Sequence, residues 1–174
     1  METEEIWTIG HSTHSLEEFL DILNAHEIEM IVDVRHYPGS RRFPHFNKEN
    51  LEVSLPQNKI QYLHLVDLGG RRKAKPDSIN NAWRLPSFMG YADYMETDNF
   101  KNAVKELQNS AVQNKVAYMC AEAVWWSCHR SMISDFLKVK GWKVLHIMNA
   151  KAAKEHPFTK PAKIVDGKLS YRKE

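Results

Sequence analysis

The sequence predicts an α/β fold of three layers: a mostly parallel sheet with helices on both faces, Rossmann-like in arrangement, plus a C-terminal hairpin. Three observations predict it. Short β-rich runs alternate with amphipathic helical segments along most of the chain. The first two runs are joined by too many residues for a hairpin, which makes the strands parallel with a right-handed crossover. The clearest hairpin signal, Asp166-Gly167 between two apolar-polar runs, comes only near the end.

EIWTI, residues 5 to 9, reads as the first strand. Ser15 and Glu18 form a capping box, and Leu16, Phe19, Leu20 and Leu23 then recur on one helical face. IEMIVDV supplies the second strand. RHYPGSRRFPHFNKEN, 35 to 50, mixes two prolines and a glycine with charges and aromatics and reads as a long ordered loop. IQYLHL, 60 to 65, is a third strand, followed by the glycine-rich basic loop DLGGRRKAKPD. Residues 71 to 98 lack periodicity and read as an insertion with one short helix near Gly90 to Glu96. Phe100, Ala103, Val104 and Leu107 mark a further helix, and KVAYMC, 115 to 120, a buried strand. Met132, Ile133, Phe136, Leu137 and Val139 mark the last helix, stopped near Gly141, before a fifth strand at WKVLHI.

The 174 residues, 43% of them hydrophobic, suffice for one domain, expected to span 1 to 174. Twenty-four basic against 22 acidic residues leave +2, so any contact with a polyanion rests on a local patch. No apolar run approaches the ~18 residues that span a bilayer, and METEEIWTIG lacks the pattern of a signal peptide. A cytoplasmic location with no membrane partner is expected, and with it two reduced thiols.

In open parallel sheets ligands bind outside the carboxyl ends of the strands. Gly10, His11 and Ser12 fall there after the first strand, Asp33 and Arg35 after the second, Asp67 to Gly70 after the third, and Cys120 and Glu122 after the fourth. With Ser127 as helix cap, Cys128, His129 and Arg130 occupy a first turn whose free N–H groups favour an anion and lower a thiol pKa. Cys128 and Cys120 thus compete as nucleophile, with Glu122 and His11 as proton carriers. Asp33 and Arg35 share one side of an extended strand end, where Asp33 orients Arg35 or Arg35 clamps an anion. Arg41, Arg42, Arg71, Arg72, Lys73 and Lys75, interleaved with Tyr37, Phe43 and Phe46, suit phosphate and base contacts or a solvated loop face. Cys120 as plain core and Trp125 and Trp126 as plain packing are the competing interpretations. Cys120, Cys128, His129 and His11 could supply soft ligands, but C-x7-C-H is no recognised zinc spacing, so no metal ligand is assigned and the cofactor is left open.

TIGHS at 8 to 12, DVR and PGSR at 33 to 41, LGG at 68 to 70, CAE followed by CHR at 120 to 130, and HIM at 146 to 148 occur in an order that resembles the domain-of-unknown-function 488 family. The resemblance runs on into the HPFT and VDGKLSY tail. It implies an α/β fold and a signature at His11, Ser12, Asp33, Arg35, Ser40, Cys120, Glu122, Cys128, His129 and Arg130, and it supplies no substrate. The expected function is an enzyme acting on an anionic, nucleotide-like or nucleic-acid-related substrate, with Ser12, Asp33, Arg35, Ser40, Arg41, His129 and Arg130 in binding. The alternatives are a nucleic-acid binding module that uses the loops at 35 to 46 and 71 to 84, and a structural or partner-binding domain.

Overall fold

A computed structural model describes residues 4–173. The strands are β1 (Glu5–Gly10), β2 (Met30–Asp33), β3 (Gln61–His64), β4 (Val116–Cys120), β5 (Lys143–Asn149) and β6 (Ala152–Glu155), with β7 (Lys163–Val165) and β8 (Lys168–Ser170) apart. The first six form one sheet in the order β3-β2-β4-β1-β5-β6, in which only β6 is antiparallel. The helices are α1 (Leu16–Ala25), α2 (Lys48–Gln57), α3 (Pro86–Tyr94), α4 (Asp98–Gln113) and α5 (Arg130–Val139). The fold is α/β, with helices on both faces.

Strand parity sorts the core into two halves. Ile6, Val32, Val116, Tyr118 and Val144 face α3, α4 and α5, joined there by Phe100, Ala103, Val104 and Leu107 from α4. Ile9, Ile31, Ala117, Met119 and Ile147 face α1 and α2, against Phe19, Leu23, Leu51 and Leu55. Each buried large apolar side chain contributes about 1.5–3 kcal/mol on leaving water, which is what holds both layers to the sheet.

Local signals account for most element ends. Ser15 accepts from the Glu18 amide and Glu18 from the Ser15 amide, so the capping box starts α1 as the spacing predicts. Gly141, at φ 93°, follows the C-cap of α5. Asp166 and Gly167, at φ 52° and 75°, make the two-residue turn of the β7-β8 hairpin.

Three expectations are corrected, and one further strand appears. Residues 48 to 50 belong to α2, whose buried stripe is only Leu51 and Leu55 and whose last turn holds Pro56, too little for periodicity to reveal. The short helix in the insertion runs from Pro86 to Tyr94, earlier than Gly90 to Glu96, because proline opens it. The alanine-rich edge strand β6 carries no β-branched residue to announce it. Ser127 does not cap α5: it ends a 3-10 turn over Trp125–Ser127, Cys128 is extended, and α5 begins at Arg130.

The winding fixes where a site lies. From β1 the chain passes through α1 on one face to β2, while from β4 it passes through α5 on the other face to β5, in the opposite direction across the sheet. The connections therefore leave the neighbouring strands β1 and β4 for opposite faces, and a crevice at such a switch point is where open α/β sheets bind ligands. Gly10 and Cys120 are register partners there.

Candidate functional site

Parity sends the chemically capable residues to two different faces of the sheet. Cys120 ends β4 in line with Tyr118 and Val116, and so lies on the α5 side. Cys128 approaches it from the loop before α5, and the two sulfurs sit 2.8 Å apart. Cys128 Sγ also accepts the backbone N–H of Arg130 at 3.4 Å. Burial opposes charge on Cys128, but the hydrogen bond from Cys120 and the Arg130 guanidinium outweigh it and hold its pKa below that of an ordinary thiol. Burial pushes the Cys120 thiol up, and the charge on Cys128 pushes it further. The two thiols titrate as a pair, and the nearby Arg130 guanidinium together with the Arg130 backbone N–H on Cys128 Sγ favours Cys128 as the one that ionises first.

Arg130 is the largest fully buried side chain, 1% exposed, and among the described residues it has no carboxylate partner. Its guanidinium donates to the Glu122 carbonyl at 2.7 Å and to the Thr8 hydroxyl at 3.2 Å, and its Nε finds no acceptor. Burial works against its charge, while the Cys120 and Cys128 thiols favour it. Gly10 makes this packing possible: a Cβ there would lie 1.6 Å from the Glu122 carbonyl oxygen and 2.9 Å from the guanidinium.

Behind Arg130 runs a buried chain of hydrogen bonds that sequence reasoning missed. Thr8 meets His146 Nδ1 at 2.6 Å, His146 Nε2 meets His156 Nδ1 at 2.8 Å, and His156 Nε2 meets the Asp135 carboxylate at 2.8 Å. Thr159 and Tyr171 also donate to Asp135. Arginine only donates and a carboxylate only accepts, so with one proton on each imidazole every donor is matched and all point from Arg130 toward Asp135. Burial pulls His146 down to about 2, which keeps it neutral, and the Trp125 ring stacks on it at 4.7 Å. A polar Thr8 after Ile6 and a polar His146 after Val144, both at core-facing positions, were the available signals.

On the opposite face, Asp33 is fully buried and accepts from the Arg35 backbone and from its Nε and one terminal nitrogen, at 3.1, 2.9 and 2.7 Å, and from the Tyr62 hydroxyl at 2.5 Å. Arg35 also donates to the Phe46 carbonyl and to His11 Nε2. His11 donates through Nδ1 to the Ser12 carbonyl, stacks on Phe46 at 4.3 Å, and is drawn down to about 4, chiefly by burial. Both its nitrogens are engaged. Of the two roles open to Arg35, the structure shows the one in which Asp33 orients it.

The remaining candidates lie at the rim or elsewhere. Glu122 offers Arg130 its carbonyl while its side chain is exposed, so a Glu122–Arg130 ion pair is absent from the described residues. Ser40 accepts from the Arg42 and Phe43 amides and shapes its own loop. Ser12 sits at φ 51°, its N–H bonded to the Ala121 carbonyl. Arg41 is exposed. His129 donates through Nε2 to the Val34 carbonyl, packs on Tyr91, and is held neutral chiefly by burial; Arg72 adds to that shift. Its Nδ1 has no hydrogen-bond partner among the described residues. Three cavities of about 490, 640 and 500 Å³ lie around residues 78 to 88 and the C-terminal segment, and none is lined by Cys120, Cys128 or Arg130. The segment 121 to 127 that joins Cys120 to Cys128 has five exposed residues.

No group of three or more His, Cys, Asp or Glu side chains converges as metal ligands among the described residues, and no helix there is long and apolar enough to cross a membrane. A family model described as Domain of unknown function DUF488 matches residues 15–137, which takes in the Asp33, Arg35, Cys120 and Arg130 segments and leaves TIGHS and the C-terminal tail outside. No curated protein and no solved structure matches.

Proposed function

The chain belongs to the DUF488 family, whose description names no activity, and from that premise we propose that it is a cysteine-dependent enzyme acting on an anionic, nucleotide-like or nucleic-acid-related substrate at the carboxyl edge of the sheet. The observation that carries this reading is Arg130, whose backbone N–H reaches Cys128 Sγ and whose buried guanidinium has no carboxylate partner among the described residues, beside a second thiol, Cys120. An unpaired buried cation costs several kcal/mol, and a thiolate beside it offsets that cost. Cys128 is the nucleophile: the Arg130 backbone N–H reaches its sulfur, and at 8% exposed against 2% for Cys120 it is the thiol that solvent meets. Cys120 donates to it. His129, with Nδ1 free of protein partners, moves the proton in place of Glu122, which faces solvent, and His11, whose nitrogens are both occupied.

The substrate class rests on the loops after β2 and β3. Arg41, Arg42 and Arg71 are exposed there, Arg71 lies over the Tyr37 ring at 5.4 Å and Arg42 over Phe43 at 5.5 Å. Exposed cations beside aromatic faces suit a phosphate joined to a base. The test is the rate at which iodoacetamide modifies Cys128 at neutral pH, with and without nucleoside phosphates at low salt. The expected rate exceeds that of a model thiol by on the order of tenfold, and the nucleotides slow it. A rate no faster than the model thiol removes the nucleophile.

The same loops favour one other reading, a nucleic-acid binding module without catalysis. It requires single-stranded oligonucleotides to bind with steep salt dependence whether or not Cys128 is alkylated. Binding abolished by alkylation, or none at low salt, excludes it.

A further inference from the structure

We infer that Cys128 and Cys120 act together as a redox-active dithiol that reduces a hydroperoxide, Cys128 attacking and Cys120 resolving, because their sulfurs sit 2.8 Å apart and Cys128 Sγ accepts the backbone N–H of Arg130, whose buried guanidinium has no carboxylate partner among the described residues. This deepens the proposed function: it rests on Cys128 as nucleophile and names a second use of the same sulfur.

A resolving thiol already beside the attacking one spares a rearrangement, and here it is in place. A disulfide needs the sulfurs at about 2.05 Å, so closing a 2.8 Å gap requires movement of well under an ångström. Five of residues 121 to 127, which join the two cysteines, are exposed, while Arg130 holds the Glu122 carbonyl and His146 stacks on Trp125. Cys128 is 8% exposed and Cys120 2%, so Cys128 is the one that solvent reaches, and the narrow access favours a small oxidant.

In the first step the Cys128 thiolate attacks the distal oxygen of the hydroperoxide. An S–O bond forms, the O–O bond breaks, and the departing alkoxide or hydroxide takes a proton from solvent, leaving Cys128 as sulfenic acid. The Arg130 guanidinium, whose Nε is buried without an acceptor, and the Arg130 backbone N–H that already reaches Cys128 Sγ stabilise the negative charge that passes from sulfur to oxygen. In the second step the Cys120 thiol attacks the Cys128 sulfur. The S–S bond forms, the S–O bond breaks, and water leaves carrying the thiol proton. The dithiol gives up two electrons and the peroxide accepts two. A low-molecular-weight thiol, supplied in twofold amount, returns the disulfide to the dithiol.

The test adds one equivalent of hydrogen peroxide to the reduced full chain and reads peroxide consumption, thiol titre and intact mass. The expected result is consumption on the order of tenfold faster than by a model thiol, loss of both thiols, a mass lower by two hydrogens, and a peptide pair joined through Cys120 and Cys128. In Cys120→Ser and Cys120→Ala, Cys128 should instead accumulate as sulfenic acid that dimedone traps. Fast alkylation of Cys128 with no disulfide in the wild-type chain overturns this inference and leaves the proposed function standing. A chain whose cysteines react with neither reagent overturns both. The wild-type cross-link decides the matter even if a variant fails to fold.

Discussion

Gly10→Ala is the sharpest perturbation of the geometry around Arg130. The added Cβ would stand 1.6 Å from the Glu122 carbonyl oxygen and 2.6 Å from its carbon, whereas carbon and oxygen settle at about 3.3 Å or more. The carbonyl must therefore retreat by about 1.7 Å, measured against that contact. Its hydrogen bond from Arg130 spans 2.7 Å and does not survive such a shift. Overpacking costs about 1–3 kcal/mol, and a lost hydrogen bond to a charged group about 1.5–3 kcal/mol. Together these remove about 3–6 kcal/mol, a large part of the 5–15 kcal/mol typical of a folded chain. At about 2–4 °C per kcal/mol for this length, Tm should fall by roughly 6–24 °C. The assay is thermal and urea unfolding under reducing conditions, with Gly39→Ala as the control, since a Cβ on Gly39 meets nothing within 4 Å. Gly10→Ala within about 1 kcal/mol of wild type would refute the close packing of Glu122 and Arg130.

Asp33→Asn should destabilise the chain by about 3–5 kcal/mol, because Arg35 is left buried beside a neutral amide; urea midpoints test it, and a loss under about 1 kcal/mol would contradict the buried pair. Stability should fall as pH drops below about 6.5. His11 and His146 have folded pKa values lowered to about 4 and about 2, so in that window the unfolded chain binds more protons than the folded one. Each histidine removes about 1.4 kcal/mol per pH unit, His11 down to about 4 and His146 further; midpoints that do not change between neutral and mildly acid pH would contradict the neutral buried imidazoles. Arg130→Met should move the pH midpoint of Cys128 alkylation upward, toward the ordinary thiol value, since one of the groups stabilising the thiolate is gone. An unchanged midpoint would show that Arg130 does not act on the sulfur.

Much of the frame is legible in the residues. The capping box at Ser15, the helical stripes of α1 and α4, and the Asp166-Gly167 turn are local patterns with local causes, and they appear where they are expected. Strand ends could be read well enough to bring His11, Asp33, Cys120 and Arg130 to one edge. What sequence spacing did not convey is face. Cys120 and Asp33 lie on opposite sides of the sheet, and only the register of β1 against β4 and of β2 against β4 settles this. Helix α2 escaped because two leucines and a proline make no stripe. The start of α5 was misjudged because Ser127 resembles a cap while the chain spends Trp125–Ser127 in a tighter turn. The relay from Thr8 to His146, His156 and Asp135 joins residues up to 138 positions apart, so no local pattern announces it.

The central claim is that Cys128 holds a negative charge at neutral pH against Arg130. The most direct measurement is the ultraviolet thiolate absorbance of the reduced protein followed from mildly acid to alkaline pH, in wild type and in Cys128→Ser. The account predicts a transition in the wild type well below the ordinary cysteine pKa of about 8.5, absent from Cys128→Ser. A single transition at or above that value, unchanged when Cys128 is replaced, would contradict it.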